Sequence, residues 1–293
     1  MTDEGGGLER ALGSPVVARR SVAGGSINAA ERIELDDGRL VFAKSRDGAD
    51  LDEFEAEAAG LRWLAEPGVV NVPKTLAVSD DPPTLALEWI EPGLLSSTGA
   101  EGLGRGLAEM HLSGAGAFGT LPPRPGGAAA GPPRIGSLEL VVNERDSWGE
   151  VYAHDRLLPA KAIAAERGAI SASGVTAVER VCERIDDLCG PAEPPARLHG
   201  DIWSGNVMAD QEGEAWLVDP VAYGGHREVD LAMLRLFGAP SQRIFSAYEE
   251  RAPLAEGHAE RVELWQLFPL LVHAALVGGA YGDSATRVAE RYA

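Results

Sequence analysis

The sequence predicts an α+β protein with a small antiparallel sheet in residues 1–91 and a larger, mainly helical part in residues 92–293. Three observations predict it. From Ser14 to Lys44, apolar and polar residues alternate between glycine turns, the pattern of half-buried strands. Beyond Leu103 the apolar spacing becomes helical, most clearly in Val175 to Leu188. Between them, the strand-like run from Thr84 stops at Glu91-Pro92-Gly93, a break that reads as a hinge between lobes. With 293 residues, 45% of them hydrophobic, the chain can bury a sizeable core as one large domain or two lobes.

Charge narrows the function. A net charge of −19 opposes nucleic acid and anionic membranes, both of which attract basic surfaces. Met1 to Gly7 is acidic and glycine-rich without the pattern of a signal peptide, so a cytoplasmic protein is expected. Cys182 and Cys189 fall in one predicted helix, roughly 10 Å apart at ~1.5 Å per residue, too far for a disulfide. They are expected to be buried thiols. Leu264 to Gly282 carries no charge, but Gln266, Pro269, His273 and Gly278-Gly279 interrupt it, so it reads as a buried helix, not a membrane span.

Taken in order, Leu8 to Leu12 suggests a short helix, and Ser14 to Ala18 leads into a strand that turns at Gly24-Gly25-Ser26-Ile27-Asn28. Ala30 to Leu35 returns, and Asp36 to Arg39 turns into Leu40-Val-Phe-Ala-Lys44. Such a hairpin can cover a triphosphate with backbone N–H groups freed by its glycines, while a lysine on the next strand reaches the α- and β-phosphates. Most glycine hairpins bind nothing, so the turn alone is weak evidence. The lysine needs a carboxylate to fix it, and the helix from Asp52 to Leu64 supplies Glu57, which shares an inward face with Leu61 and Leu64. Glu55 is left as the other possibility. Val69 to Pro73 and Leu76 to Val78 read as strand material. Backbone groups of Glu88, Trp89 and Ile90, at the hinge, are placed to meet an adenine ring, although a plain strand end fits nearly as well.

In the second part, Leu103 to His111 is a helix with His111 in a structural role, and Ser113 to Gly136, rich in Gly, Pro and Ala, reads as a mobile loop. Trp148, Tyr152 and Arg156 recur at i, i+4 and i+8 on one helical face. An aromatic stripe is usually core, but the arginine allows one edge to line a polyol pocket. Asp230 opens an apolar helix, where it can cap that helix or brace neighbouring backbone.

The chemistry concentrates in Leu198-His-Gly-Asp-Ile-Trp-Ser-Gly-Asn206. An aspartate followed five positions later by an asparagine matches a phosphotransferase loop, in which the aspartate takes the proton of the attacking hydroxyl and the asparagine holds magnesium. Ala215-Trp-Leu-Val-Asp219-Pro220 is an apolar strand ending in a carboxylate, where a second metal ligand belongs. His-Gly-Asp alone could be a local turn. The loop, strand and terminal Asp-Pro together are far rarer.

Those motifs, with Val41-Phe-Ala-Lys44 and Tyr223-Gly-Gly-His226-Arg-Glu228, resemble the fructosamine kinase (ketosamine-3-kinase) family, relatives of aminoglycoside phosphotransferases. The likeness runs from about Ser14 to the C-terminus, and Trp203-Ser204 after His-Gly-Asp is its most specific piece. The resemblance implies a two-lobed, protein-kinase-like fold, with a small antiparallel-sheet N-lobe and a larger, mainly helical C-lobe. It also implies ATP- and Mg2+-dependent phosphorylation of the sugar 3-hydroxyl of a ketosamine. The expected roles are base for Asp201, metal ligands for Asn206 and Asp219, and nucleotide contacts for Gly24, Gly25, Ser26, Lys44, Glu57 and the hinge. Trp203, Trp148, Tyr152, Arg156 and His226 are expected near the substrate, a small amine-bearing sugar or glycated amine. Some members carry a cysteine where Ser26 stands, so no thiol switch is expected there. The Gly/Pro-rich stretch before Ile135 and residues Glu139 to Val142 replace a more polar family segment near the acceptor. Two rivals remain: an aminoglycoside-type or other aminoalcohol phosphotransferase, and a nucleotide-binding regulator without catalysis. The second predicts a broken Lys, Asp, Asn or Asp position, and none is broken.

Overall fold

Strands β1 (Val16–Ser21), β2 (Ala29–Leu35) and β3 (Leu40–Ser45) form a meander, and β4 (Thr75–Asp80) and β5 (Pro83–Glu88) complete a five-stranded antiparallel sheet in the order β1-β2-β3-β5-β4. The computed structural model describes residues 6–22, 28–46, 48–124, 131–238 and 241–293. Helices cover both faces of the sheet. On one, Leu8 and Leu12 of α1 (Gly7–Leu12) pack with Ile33, Leu35, Val41, Ala43 and Ala86. On the other, Phe54, Leu61 and Leu64 of α2 (Leu51–Ala65) pack with Leu85 and Leu87. Side chains alternate across a strand, so Phe42 and Lys44 leave β3 on the α2 side, opposite Val41 and Ala43. The Asp50 carboxylate caps α2 by accepting from the Asp52 N–H. The expected strand over Val69 to Pro73 is reduced to one bridge, Asn71 to Trp216. Its residues connect α2 to β4.

After the hinge comes α3 (Ser97–Leu112). The Gly/Pro-rich stretch ends in a two-residue hairpin, β6 (Arg134–Ile135) and β7 (Leu138–Glu139), where the sequence suggested only a loop. Helix α4 (Trp148–Glu150) continues through a π-helical stretch, Val151–Leu157, into α5 (Leu158–Glu166), followed by α6 (Ala172–Glu183) and α7 (Ile185–Leu188). Short strands β8 (Ala196–Leu198), β9 (Val207–Ala209), β10 (Ala215–Leu217) and β11 (Tyr223–Gly225) frame the catalytic-type loop, with β8 paired to β11 and β9 to β10. The chain ends with α8 (Glu228–Leu236), α9 (Gln242–Arg251), α10 (His258–Leu276) and α11 (Tyr281–Tyr292).

One apolar cluster crosses from sheet to helices, joining Leu61 and Leu85 to Leu107, Ile202, Leu217 and Leu234. A second surrounds α10. That helix is opened in its middle: Pro269 has no N–H to give the Trp265 carbonyl, and the Tyr152 hydroxyl, accepting from the Phe268 N–H at 3.3 Å, donates to the Leu264 carbonyl at 2.5 Å. Among the described residues no helix is long and apolar enough to cross a membrane. Cys182 and Cys189 are unpaired and half-buried, short of the full burial expected, and burial pushes both thiols up to about 12, which leaves them unreactive.

Candidate active site

Lys44 lies between two carboxylates. Its Nζ is 2.7 Å from Asp219 Oδ1 and is ion-paired with Glu57 Oε2. Three distant segments make this contact: β3 presents Lys44 on its α2-facing side, α2 turns Glu57 inward, and Asp219 follows β10. Gly60 allows α2 a close approach to the segment after Asp219, where a Cβ would stand 3.3 Å from Ala222 Cβ. Asp219 has a left-handed backbone, φ 54°, which aspartate tolerates better than most residues. Burial alone would lower the Lys44 pKa, but the two carboxylates outweigh it and keep the ammonium charged. Burial pushes Glu57 up to about 7, with Lys44 opposing and Asp219 adding repulsion. Two carboxylates thus share one ammonium, and the cluster retains an excess of negative charge.

The catalytic-type loop is held from behind. Asp230, buried in the first turn of α8, accepts from the N–H of His199 at 2.7 Å and of Gly200 at 2.9 Å, and its Oδ2 is 3.2 Å from His111 Nε2. His111 Nδ1 meets the Tyr248 hydroxyl at 2.8 Å, so His111 is a structural residue, as expected. His199 Nδ1 accepts from the Asp201 N–H at 3.3 Å, and Nε2 donates to the Val218 carbonyl at 3.0 Å. Burial lowers the His199 pKa, which keeps this neutral tautomer. Gly200, at φ +81°, is required here, because a Cβ would stand 2.0 Å from the Val221 carbonyl oxygen. Asp201 is pushed up to about 7 by burial and then by Asp219, against a hydrogen bond from Asn206. A carboxylate poised near neutrality suits a general base.

Asp201, Lys44, Glu57 and Asp219 line one cavity of about 180 Å³, together with Asn28, Arg46 and the segment around Ile135. Its donor set fits a magnesium ion bound partly by phosphates. Asn206 Nδ2 donates to the Asp201 carbonyl at 2.8 Å and to Asp201 Oδ2 at 3.2 Å, which leaves the amide oxygen as the group that could serve as a ligand. Among the described residues, no three His, Cys, Asp or Glu side chains are grouped to hold a metal on their own. Magnesium sites of one or two side chains completed by phosphate and water need no such group.

The choice between Glu55 and Glu57 is resolved: Glu57 pairs with Lys44, and Glu55 meets Arg124 at 2.8 Å. The sequence missed Arg124, which also reaches Asp52 at 3.1 Å, as well as Arg134, 3.8 Å from Glu53. No periodicity marks either arginine, and only the alternation of acids on α2 hints at partners. Gly24, Gly25 and Ser26 lie outside the described residues. At the hinge, the Glu88 N–H donates to the Lys74 carbonyl at 2.9 Å and the Trp89 N–H to the Leu40 carbonyl at 3.3 Å. Neither they nor Ile90 line the cavity.

Four expected substrate residues belong instead to the core. Trp148, Tyr152, Arg156 and His226 are at most 4% exposed and do not line that cavity. Trp148 and Tyr152 pack around Trp265, His226 stacks on it at 5.5 Å, and Arg156 lies over the Tyr223 ring at 4.3 Å. Periodicity marks their common buried face; the Tyr152 hydroxyl bonds to α10 and Arg156 Nη1 to the Val141 carbonyl at 2.7 Å, while Trp148 Nε1 and Arg156 Nε and Nη2 are buried without a hydrogen-bond partner. Trp203 differs, being 37% exposed beside the base.

The chain matches the model of the fructosamine kinase family over residues 7–293. It is 31% identical to ketosamine-3-kinase of Mus musculus, covering 96% of this chain and 97% of that one. A crystal structure from Thermobifida fusca YX-ER1, provisionally described as a fructosamine-3-kinase, superposes with a TM-score of 0.87 at 42% identity over 97% of both chains. Macrolide 2′-phosphotransferase from Brachybacterium faecium shares the fold, with a TM-score of 0.62 at 19% identity over 96% of both chains. The fold is the two-lobed, protein-kinase-like one.

Proposed function

This chain belongs to the fructosamine kinase family, and from that premise we propose that it transfers the γ-phosphoryl group of ATP to the 3-hydroxyl of a ketosamine such as a fructosamine or ribulosamine. The observation that carries this reading is the meeting of Lys44, Glu57, Asp201 and Asp219 at one cavity, with Asn206 hydrogen-bonded to Asp201 and with Lys44 and Asp219 separated by 175 positions in the chain. The cleft follows the division into an N-lobe, 1–91, and a C-lobe, 92–293.

Phosphoryl transfer asks for positioning and charge more than covalent work. Asp201 takes the proton of the acceptor hydroxyl as its oxygen bonds to the γ-phosphorus and the bond to the ADP oxygen breaks. Lys44, fixed by Glu57, anchors the phosphates, and Gly24, Gly25 and Ser26 contribute to binding the nucleotide. Asn206 and Asp219 would hold magnesium, which when bound neutralises charge on the phosphates. Adenine contacts fall to the backbone of Glu88, Trp89 and Ile90, chiefly Ile90, because the other two N–H groups are engaged. Trp203 meets the sugar. The enzyme works in the cytoplasm on a small amine-bearing sugar or a glycated amine.

The test is magnesium-dependent ADP release across fructosyl-lysine, ribulosyl-lysine, an aminoglycoside and choline. Stimulation by the ketosamines is expected. Asp201→Asn should lose about 10³–10⁵-fold in turnover while still binding ADP by calorimetry. Stimulation only by the aminoglycoside or choline would overturn the acceptor, and near-normal turnover of the variant would overturn the base.

A further inference from the structure

Among the described residues, the cations lining the cavity at Asp201 are Lys44, Arg46 and Arg134, set against the carboxylates of Glu53, Glu57, Asp201 and Asp219. They stand on two rungs between β3 and α2. Lys44 meets Glu57 on the first, and two residues along the chain Arg46 is ion-paired with Glu53, one helical turn before Glu57. The spacings match, since two residues of strand span about 7 Å and four of helix about 6 Å. The rungs differ in sign. On the first, one ammonium stands between the carboxylates of Glu57 and Asp219. On the second, the Glu53 carboxylate stands between two half-buried guanidiniums, that of Arg46 and that of Arg134, whose Nε comes within 3.8 Å from the β6–β7 hairpin. Arg46 Nη1 also donates to Asn28 Oδ1 at 3.3 Å. Arg134 Nη2 donates to Glu139 Oε2 at 2.7 Å, a half-exposed carboxylate that does not line the cavity.

We infer that Arg46 and Arg134 are catalytic residues that grasp the γ-phosphoryl group of the nucleotide from two sides of the cavity. The inference rests on the phosphotransferase reading of this cleft, whichever acceptor it serves. In the transfer, the acceptor oxygen bonds to phosphorus, its proton passes to Asp201, and the bond to the β-phosphate oxygen breaks with its electron pair leaving on ADP. Negative charge spreads over the peripheral oxygens of the group in flight. Lys44 cannot answer it alone, because Glu57 and Asp219 already share its ammonium. Guanidinium groups meet such oxygens with paired N–H donors and stay charged throughout, so neither arginine exchanges a proton. Each has donors enough to keep Glu53 along one edge and meet phosphate with another. In a chain of net charge −19, no general positive field replaces them.

The experiment measures, by calorimetry with magnesium, the dissociation constants of ADP and of the non-hydrolysable β,γ-imido analogue of ATP. Arg46→Ala and Arg134→Ala should each weaken the analogue about tenfold and ADP less than twofold, which places the loss at the third phosphate and shows that the variants are folded. Lysine at either position should restore part of the loss. Turnover by the alanine variants, with whichever acceptor stimulates ADP release, should fall about 10²–10³-fold. Glu53→Gln separates grasping the phosphate from holding α2. It removes a negative charge beside the γ-phosphoryl group and should tighten the analogue about two- to fivefold. If the arginines only held the helix through Glu53, the same variant would weaken analogue and ADP alike. That result, or analogue binding untouched in both alanine variants, overturns the inference and leaves the kinase reading standing. Binding of neither nucleotide by wild type overturns both.

Discussion

The two sides of the cleft hold their residues by opposite means. On the phosphate side, Lys44, Glu57 and Asp219 meet as charges, and the Asp219 side chain stays half exposed. Behind the acceptor side, Trp148, Tyr152, Arg156, Tyr223 and Trp265 interlock at no more than 4% exposure, with a lone cation laid on an aromatic face. The difference teaches where chemistry resides. Charges crowded together against burial and mutual repulsion are held for a reactant, whereas the rings and the cation sealed among them hold the scaffold.

The contrast breaks most visibly on the phosphate side. Lys44→Ala should lower kcat/KM for ATP by about 10²–10³-fold, and Glu57→Gln by about tenfold, since Lys44 keeps Asp219. Glu55→Gln should stay within about twofold. ATP saturation kinetics decide the matter, and equal damage from Glu55→Gln and Glu57→Gln would undo the assignment of the pair.

A smaller effect, on stability and not on rate, should follow Tyr152→Phe. The change strips the Leu264 carbonyl and the Phe268 N–H of their shared hydroxyl and should cost about 1–3 kcal/mol in denaturant unfolding. The acceptor KM should move less than twofold. A tenfold rise in KM at unchanged stability would return Tyr152 to the substrate.

The smallest effect concerns pH. Burial lowers the His226 pKa against the pull of Glu228 and Glu193, so its folded value lies below the ordinary 6.5. The folded state then binds the proton less readily than the unfolded chain: the contribution is complete above pH 6.5 and lost as pH falls below it. Melting curves from pH 7 to 5 should show wild type losing about 2–4 °C more than His226→Gln. Parallel losses would mean that His226 does not titrate in this way.

Much of the phosphate side is legible in the sequence because its chemistry fixes residue spacing. Asp201 and Asn206 must share one short loop, and Asp219 must end a strand beside it. Lys44 is legible from strand alternation, and the glutamate only to within two candidates, since helical spacing does not say that Glu55 meets an arginine 69 positions away. The aromatic stripe is legible as a buried face and no further. Whether Arg156 looks toward a sugar or toward Tyr223 depends on β11, which arrives from elsewhere in the chain. The ring contacts from Trp203 through Phe237 and His273 to Tyr281 have no period, because they draw on two helices, the turn after α8 and a loop.

Helix α2 is gripped on its outer side by three arginines: Arg46 and Arg134 on Glu53, and Arg124 on Asp52 and Glu55. Each contact is individually weak. Together they hold the helix where Glu57 already meets Lys44, a pairing that protein kinases make or break through activation-loop phosphorylation. No covalent signal is needed to assemble this machinery. On the proposed reading, its output would follow the supply of acceptor and nucleotide, the behaviour of a standing service and not of a relay.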